Sequence, residues 1–296
     1  MEFFGQQTIN GLVLGSVYAL YGLGFGLVLA DLKVFHVAHA GVFTWGAIFS
    51  WLLTSHFGLP LLVAVPITAV LSGLLNVGAY FVVIRHLLVR KNTQLAAFIS
   101  SLGALMILNE LASIALRGDV VRLPRSAFPV HPVHLGPFQA STLDILMVVL
   151  TAILIGLSSW LIRRTEFGRE ARAVAFNRDL AALLGTNVDR VSMGVFFLSG
   201  ALGGIAATLV AMAFNVISST IGDTYLLIAI AAMVVGGFGS IAGILVGGLL
   251  IGLASTYATG YINTSYRDLT VFLLLLLFLV VRPSGLLRTS NELDRV

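Results

Sequence analysis

The chain has 296 residues, 58% of them hydrophobic and only 10% charged, with a mean hydropathy of +1.01. Soluble domains average about 25% charged residues, so this composition excludes an ordinary cytosolic enzyme, a disordered chain and a nucleic-acid binder. The formal charge of +4, from 17 Lys and Arg against 13 Asp and Glu, reads as one-sided loop charge on a membrane protein.

A membrane-spanning helix needs about 20 mostly apolar residues, and the charge-free runs supply them in series. The first span is predicted over 9–30. The long uncharged run that follows is divided by Thr54-Ser55-His56-Phe57-Gly58-Leu59-Pro60 into spans at 36–53 and 61–84. A fourth lies at 95–116, with Glu110 inside it, a fifth at 143–162 and a sixth at 191–214. The run 224–266 would be about 65 Å long as one helix, twice a bilayer core of about 30 Å. Gly236-Gly237-Phe238-Gly239-Ser240 is its natural break, giving helices near 225–236 and 241–259. A short last span, 269–281, recruits Tyr266. The fold class expected is therefore an all-α polytopic membrane protein of about 8–10 transmembrane helices, one transmembrane domain over 1–296.

Loop charge orients these spans. Placing 163–190 inside puts 13 of the 17 basic residues inside, with Arg117, Arg122, Arg125 and Arg267 outside. The N-terminus is then outside and the C-terminus cytoplasmic. No Lys or Arg precedes Lys33, so the first span lacks the basic start of a cleavable signal.

Two loops are long. The external one, 117–142, holds Pro124, Pro129, Pro132 and Pro137 and reads as ordered but non-helical. The cytoplasmic one, 163–190, reads as two short helices, 168–176 and 178–184, with Asn177 capping the second and Gly185 closing it. Ala173, Phe176, Leu180, Leu183 and Leu184 form an apolar stripe under an Arg-rich face. Such a stripe suits either a helix lying on the inner leaflet or a docking element for a cytoplasmic partner.

Catalytic motifs are absent from the sequence. A phosphate-binding GxxxxGK[ST] loop is ruled out, because Lys33 and Lys91 are followed by Val34 and Asn92. Neither HExxH, a His cluster at metal spacing, GxSxG nor GxGD is found, so no enzyme activity and no metal are expected. Any ATP must be bound by another chain. Buried carboxylates, which ion-coupled symporters use along their path, are nearly missing. Candidates for a translocation pathway are His36 and His39, three residues apart at the start of the second span, with Ser100, Ser101, Asn109, Glu110 and Asn215. Each also suits a plain helix-to-helix hydrogen bond. Gly11/Gly15, Gly200/Gly204 and Gly239/Gly243/Gly247 indicate close helix packing.

Four segments carry a family resemblance: Gln7-Thr-Ile-Asn-Gly-Leu-Val-Leu-Gly-Ser-Val-Tyr-Ala-Leu20, the loop from Gly168-Arg-Glu-Ala-Arg-Ala-Val-Ala to Arg190, Val235-Gly-Gly-Phe-Gly-Ser-Ile-Ala-Gly243, and Tyr266-Arg-Asp with Val281-Arg-Pro-Ser-Gly-Leu286. In these the chain resembles the permease subunits of ABC importers for branched-chain amino acids and related amides, of the shorter LivH-like type. The resemblance implies a type II importer fold. It also implies a second permease subunit, LivM-like or identical, two ABC ATPase subunits that bind the ATP, and a periplasmic or extracellular solute-binding protein. The setting implied is the bacterial inner membrane, with lipid around the chain, a small-molecule solute and no nucleic acid. The loop would then be the coupling element, through Arg169, Ala171, Arg172, Ala173, Phe176, Leu184 and Gly185. The family usually reads Asn-Phe-Ala-His-Gly and an acid where this chain has His36-Val-Ala-His39-Ala40-Gly41, so other amino acids, urea or short amides stand beside the branched-chain ones. A stand-alone transporter driven by an ion gradient is the alternative class.

Overall fold

A computed structural model describes residues 2–89, 94–135 and 138–287. Its helices are α1 (Glu2–Leu32), α2 (His39–Ser55) and α3 (Leu61–Ala79), which runs through a π-helical turn at Tyr80–Ile84 into α4 (Arg85–Val89). There follow α5 (Gln94–Leu116), α6 (Thr142–Arg164), α7 (Glu166–Phe176), α8 (Arg178–Leu183), α9 (Val188–Phe214), α10 (Ile221–Gly236), α11 (Ile241–Tyr261) and α12 (Tyr266–Val281).

Among the described residues, 6 helices are long and apolar enough to cross a membrane: α1, α3 with its continuation, α5, α6, α9 and α11. Helices α2, α10 and α12, of 17, 16 and 16 residues, stand where the sequence places spans. At 1.5 Å per residue they reach only about 24–26 Å.

One local expectation changes. The second span does not begin at residue 36: the helix starts at His39, and His36 lies in the preceding turn, its carbonyl accepting from the His39 amide at 3.1 Å. Loop 117–142, expected to be ordered but non-helical, is ordered over its described residues. It carries a 3-10 turn at Arg125–Ala127 and an antiparallel hairpin, β1 (Pro132–Leu135) with β2 (Phe138–Ser141), paired Val133 to Ala140. Proline bars a helix there but is tolerated as the first residue of an edge strand.

The chain divides into two compact units. The first comprises Met1–Gly26, Val130–Ala152 and Leu227–Val296. In it α1 meets α11 through bare backbone: a Cβ on Gly252 would lie 2.3 Å from the Gly15 Cα. The expected break between α10 and α11 is present, with Gly237 at φ +111° and Ser240 capping α11 by accepting from the Gly243 amide at 3.0 Å. The amides of Leu286 and Leu287 donate to the carbonyls of Val235 and Gly236 at 2.9 and 3.0 Å. The two glycine-bearing segments near the end of the chain thus satisfy one another, and the last carbonyls of α10 are not left bare. On the hairpin, Gln6 donates to the Gln139 carbonyl at 2.7 Å and accepts from its amide at 2.9 Å.

The second unit comprises Leu27–Pro129 and Ile153–Leu226. Its centre is α2, α3 and α9, packed around buried Val42, Ala47, Ile48, Ala206, Ala207 and Val210. The helices approach closely because small residues face one another. A Cβ on Gly46 would lie 2.6 Å from the Gly204 Cα. Trp45 fastens α5 alongside by donating to the Leu108 carbonyl at 3.0 Å.

Candidate functional site

The second unit holds both sets of residues that the sequence singles out. The first is the α7–α8 loop. Thr165 caps α7 by accepting from the Gly168 amide at 3.2 Å, and Asn177 caps α8 by accepting from the Leu180 amide at 3.0 Å. Gly185 closes α8 at φ +90°, its amide donating to Ala182 O and that of Thr186 to Ala181 O, both at 3.0 Å. This is a Schellman closure, and it is why a glycine stands at that position.

The apolar stripe is present and faces away from the chain's own core. Phe176 is 60% exposed, Leu180 46%, Leu183 84% and Leu184 78%. The inward face is the row of smaller residues Ala171, Val174 and Ala181, packed with Val191 and Val195 of α9 and against Phe167 and Leu27. Ala171 packs into the chain's own core, whereas Gly185 is exposed and a side chain added there would meet nothing within 4 Å of the chain itself. Small residues win the inward face because α7 lies tight on the end of α6, where a Cβ on Gly168 would strike the Ile162 carbonyl at 2.2 Å.

Three of the loop's six arginines have partners for their side chains among the described residues. Arg169 pairs with Glu166 at 3.1 Å, Arg172 donates to the Ile162 carbonyl, and Arg178 donates to Ser192 Oγ at 2.8 Å. Ala173 is exposed.

The second set is a polar seam. Thr68, Ser72, Asn76 and Tyr80 recur every four residues along α3 and its π turn, all 0% exposed. Asn76 donates to the Phe196 carbonyl at 2.8 Å, and its Oδ1 lies 3.2 Å from His36 Nε2. An amide oxygen only accepts, so that nitrogen carries the proton and Nδ1 is the acceptor. His39 Nδ1 lies 3.5 Å from Ser199 Oγ, and Tyr80 donates to Asp189 at 2.9 Å. His36 and His39 are therefore interior groups, one in the turn before α2 and the other at its first residue.

The other pathway candidates scatter. Ser101 is buried and accepts from the Val37 amide at 3.1 Å, holding the turn before α2. Ser100, beside it, is half-buried. Asn215 ends α9 in the left-handed region at φ 49° and accepts from the Leu123 amide at 2.9 Å, which makes it a cap and a loop clamp. Asn109 donates to both oxygens of Asp223, at 3.0 and 3.2 Å, while Glu110 is exposed. The sequence reading passed over Thr68, Ser72, Asn76 and Asp223. The first three carried a legible signal, polar residues four apart inside a charge-free run. Among the described residues no three His, Cys, Asp or Glu side chains come together as a metal site.

The comparisons follow the helical, polytopic layout. The family described as the permease component of branched-chain amino acid transport systems matches residues 7–281. The high-affinity branched-chain amino acid transport system permease protein LivH of Escherichia coli K12 is 32% identical over 96% of this chain and 96% of its own. LivH of Salmonella typhimurium is 30% identical over 96% of each chain. BraD, the corresponding permease protein of Pseudomonas aeruginosa, is 28% identical over 95% of each. These relatives are transport permeases and not enzymes, and with the profile spanning nearly the whole sequence this chain belongs to the family of branched-chain amino acid transport system permease components.

Proposed function

We propose that this chain is the permease subunit of an ABC importer that carries a branched-chain or related amino acid, or a short amide, across the bacterial inner membrane. Separate ATPase subunits supply the energy, a second permease copy or paralogue completes the pore, and a solute-binding protein delivers the solute. Loop 163–190 is the cytoplasmic coupling element and loop 117–142 lies outside, with the N-terminus outside and the C-terminus inside.

The observation that carries this reading is the outward face of α7 and α8, where Phe176, Leu180, Leu183 and Leu184 stand exposed on two capped helices whose inner face is already packed. A helix lying on lipid needs its cations free for headgroups. Here Arg172 and Arg178 are engaged with the Ile162 carbonyl and Ser192. The face therefore suits a cleft in an ATPase subunit better than a membrane surface.

The solute-facing polar groups we assign to Asn109, Glu110 and Asp223, since His36, His39 and Ser101 are taken up in helix contacts. A carboxylate steadied by the Asn109 amide suits the ammonium group of an amino acid.

Leu183→Glu tests the docking face. The residue is 84% exposed, so folding and membrane insertion should be unchanged. Burying one leucine is worth about 1.5–3 kcal/mol, and each 1.4 kcal/mol is about tenfold in affinity. Co-purification of the ATPase subunit should fall roughly 10- to 100-fold. Undiminished capture with normal uptake would refute the docking assignment.

A further inference from the structure

The last turn of α1 brackets the joint between α7 and α8. That joint is the single extended residue Asn177, at φ −152° and ψ 110°. On one side of it, Lys33 Nζ donates to the Phe176 carbonyl at 3.2 Å. On the other, Asp31 Oδ2 lies 3.8 Å from Arg178 Nη1. The Asp31 side chain is only 2% exposed and that of Arg178 25%. Arg178 is also fixed to α9 through Ser192 Oγ at 2.8 Å.

This pair differs from the other ion pairs of the unit. Arg85–Asp189 is 46% exposed on both sides, and Arg169–Glu166 is 62% and 89% exposed. Water screens such pairs and they part easily. Asp31 and Arg178 cannot part easily, because separation would leave a charge in a place that excludes water. Arg178 is the cation that faces the buried Asp31 carboxylate, and Ser192, which Arg178 also contacts, lies beside both. A well-packed apolar pair would serve stability as well as this ion pair does, so stability alone does not account for a carboxylate buried at the end of an apolar helix.

We infer that Asp31 and Arg178 form the tie through which a displacement of the α7–α8 joint is handed to helix α1, with Lys33 as a weaker second strand. The inference rests on the reading of α7 and α8 as the ATPase-docking element. When the docked ATPase moves the joint, the exposed pairs yield and the buried one does not. Helix α1 is continuous over Glu2–Leu32, so its inner end moves with the joint. Asp31 and Arg178 are thus positioning residues, which touch neither solute nor nucleotide.

The test uses the whole transporter in liposomes: the permease pair, the ATPase subunits, the binding protein and radiolabelled L-leucine as probe. The double variant Asp31→Asn with Arg178→Gln removes both charges, so no lone buried charge is left to unfold the loop. It should co-purify with the ATPase as wild type does and still hydrolyse ATP. The ATP consumed per leucine imported should rise at least tenfold. Arg178→Lys, which keeps the charge, should stay within about threefold of wild type. A double variant whose ATP-to-leucine ratio stays within twofold of wild type overturns the tie. So does a double variant that no longer captures the ATPase, since the pair would then build the docking face and transmit nothing. Uptake by wild-type permease without any ATPase subunit would remove the functional reading itself, a result separable from both.

Discussion

Substituting Gly46 by alanine adds one methyl group at the contact between α2 and α9. The new Cβ would lie 2.6 Å from the Gly204 Cα and 3.2 Å from the Gly204 carbonyl oxygen. Non-bonded carbons pack at about 3.5–4.0 Å, so the two helices must separate by roughly 1 Å. The obstructing atoms are backbone, and no side chain can turn aside to relieve them. Overpacking of a well-packed interior costs about 1–3 kcal/mol. Gly103, on α5, is the control, because a Cβ there would meet nothing within 4 Å. Alanine at that position removes the glycine penalty in a helix, about 0.5–1 kcal/mol, and should be neutral or mildly stabilising. Reversible unfolding of the purified permease in mixed micelles, followed by helical circular dichroism, measures both. Gly46→Ala should lower the unfolding free energy by about 1–3 kcal/mol, and Gly103→Ala should not lower it. Equal stability of the two variants would refute the close approach of α2 to α9 and with it the tightness of the polar seam.

Two further expectations concern topology and the solute path. The chain lacks cysteine, so Ser126→Cys and Asp179→Cys give single labelling sites; an impermeant maleimide should reach position 126 in intact cells and position 179 only after the membrane is opened, and the reverse pattern would invert the proposed orientation. Asp223→Asn, which keeps shape and removes charge, should reduce leucine uptake about fivefold, the effect of about 1 kcal/mol expected for an exposed charge pair, while ATPase capture is unchanged; uptake within twofold of wild type would discard Asp223 as a solute-facing group.

Span positions, the break at Gly236–Ser240 and the caps at Asn177 and Gly185 were legible in the residues, because each depends on local facts. A charge-free run must be a helix in lipid, where no water satisfies the backbone. A glycine that must hold φ +90° announces itself at a helix end. The polar contents of the seam were only half legible. His36 and His39 drew notice as rare side chains, whereas Thr68, Ser72 and Asn76 are ordinary in any membrane helix and acquire meaning from the elements that α3 faces.

What the sequence determined by itself was therefore the class of molecule, the order of its helices and the presence of a loop with an apolar face. Which face of that loop points inward was settled by packing. Periodicity marks Phe176, Leu180 and Leu184 as an apolar stripe without saying which residues pack inward, and the space between α7 and the end of α6 admits only Gly168, Ala171 and Val174. The large residues turn outward for want of room. In the same way, Asp31 and Arg178 lie far apart in sequence and become an ion pair only when α8 folds back on the end of α1. Local sequence sets which residues are helical and where helices stop; side-chain volume and the pairing of distant charges, which no local window contains, decide which surfaces are left for a partner.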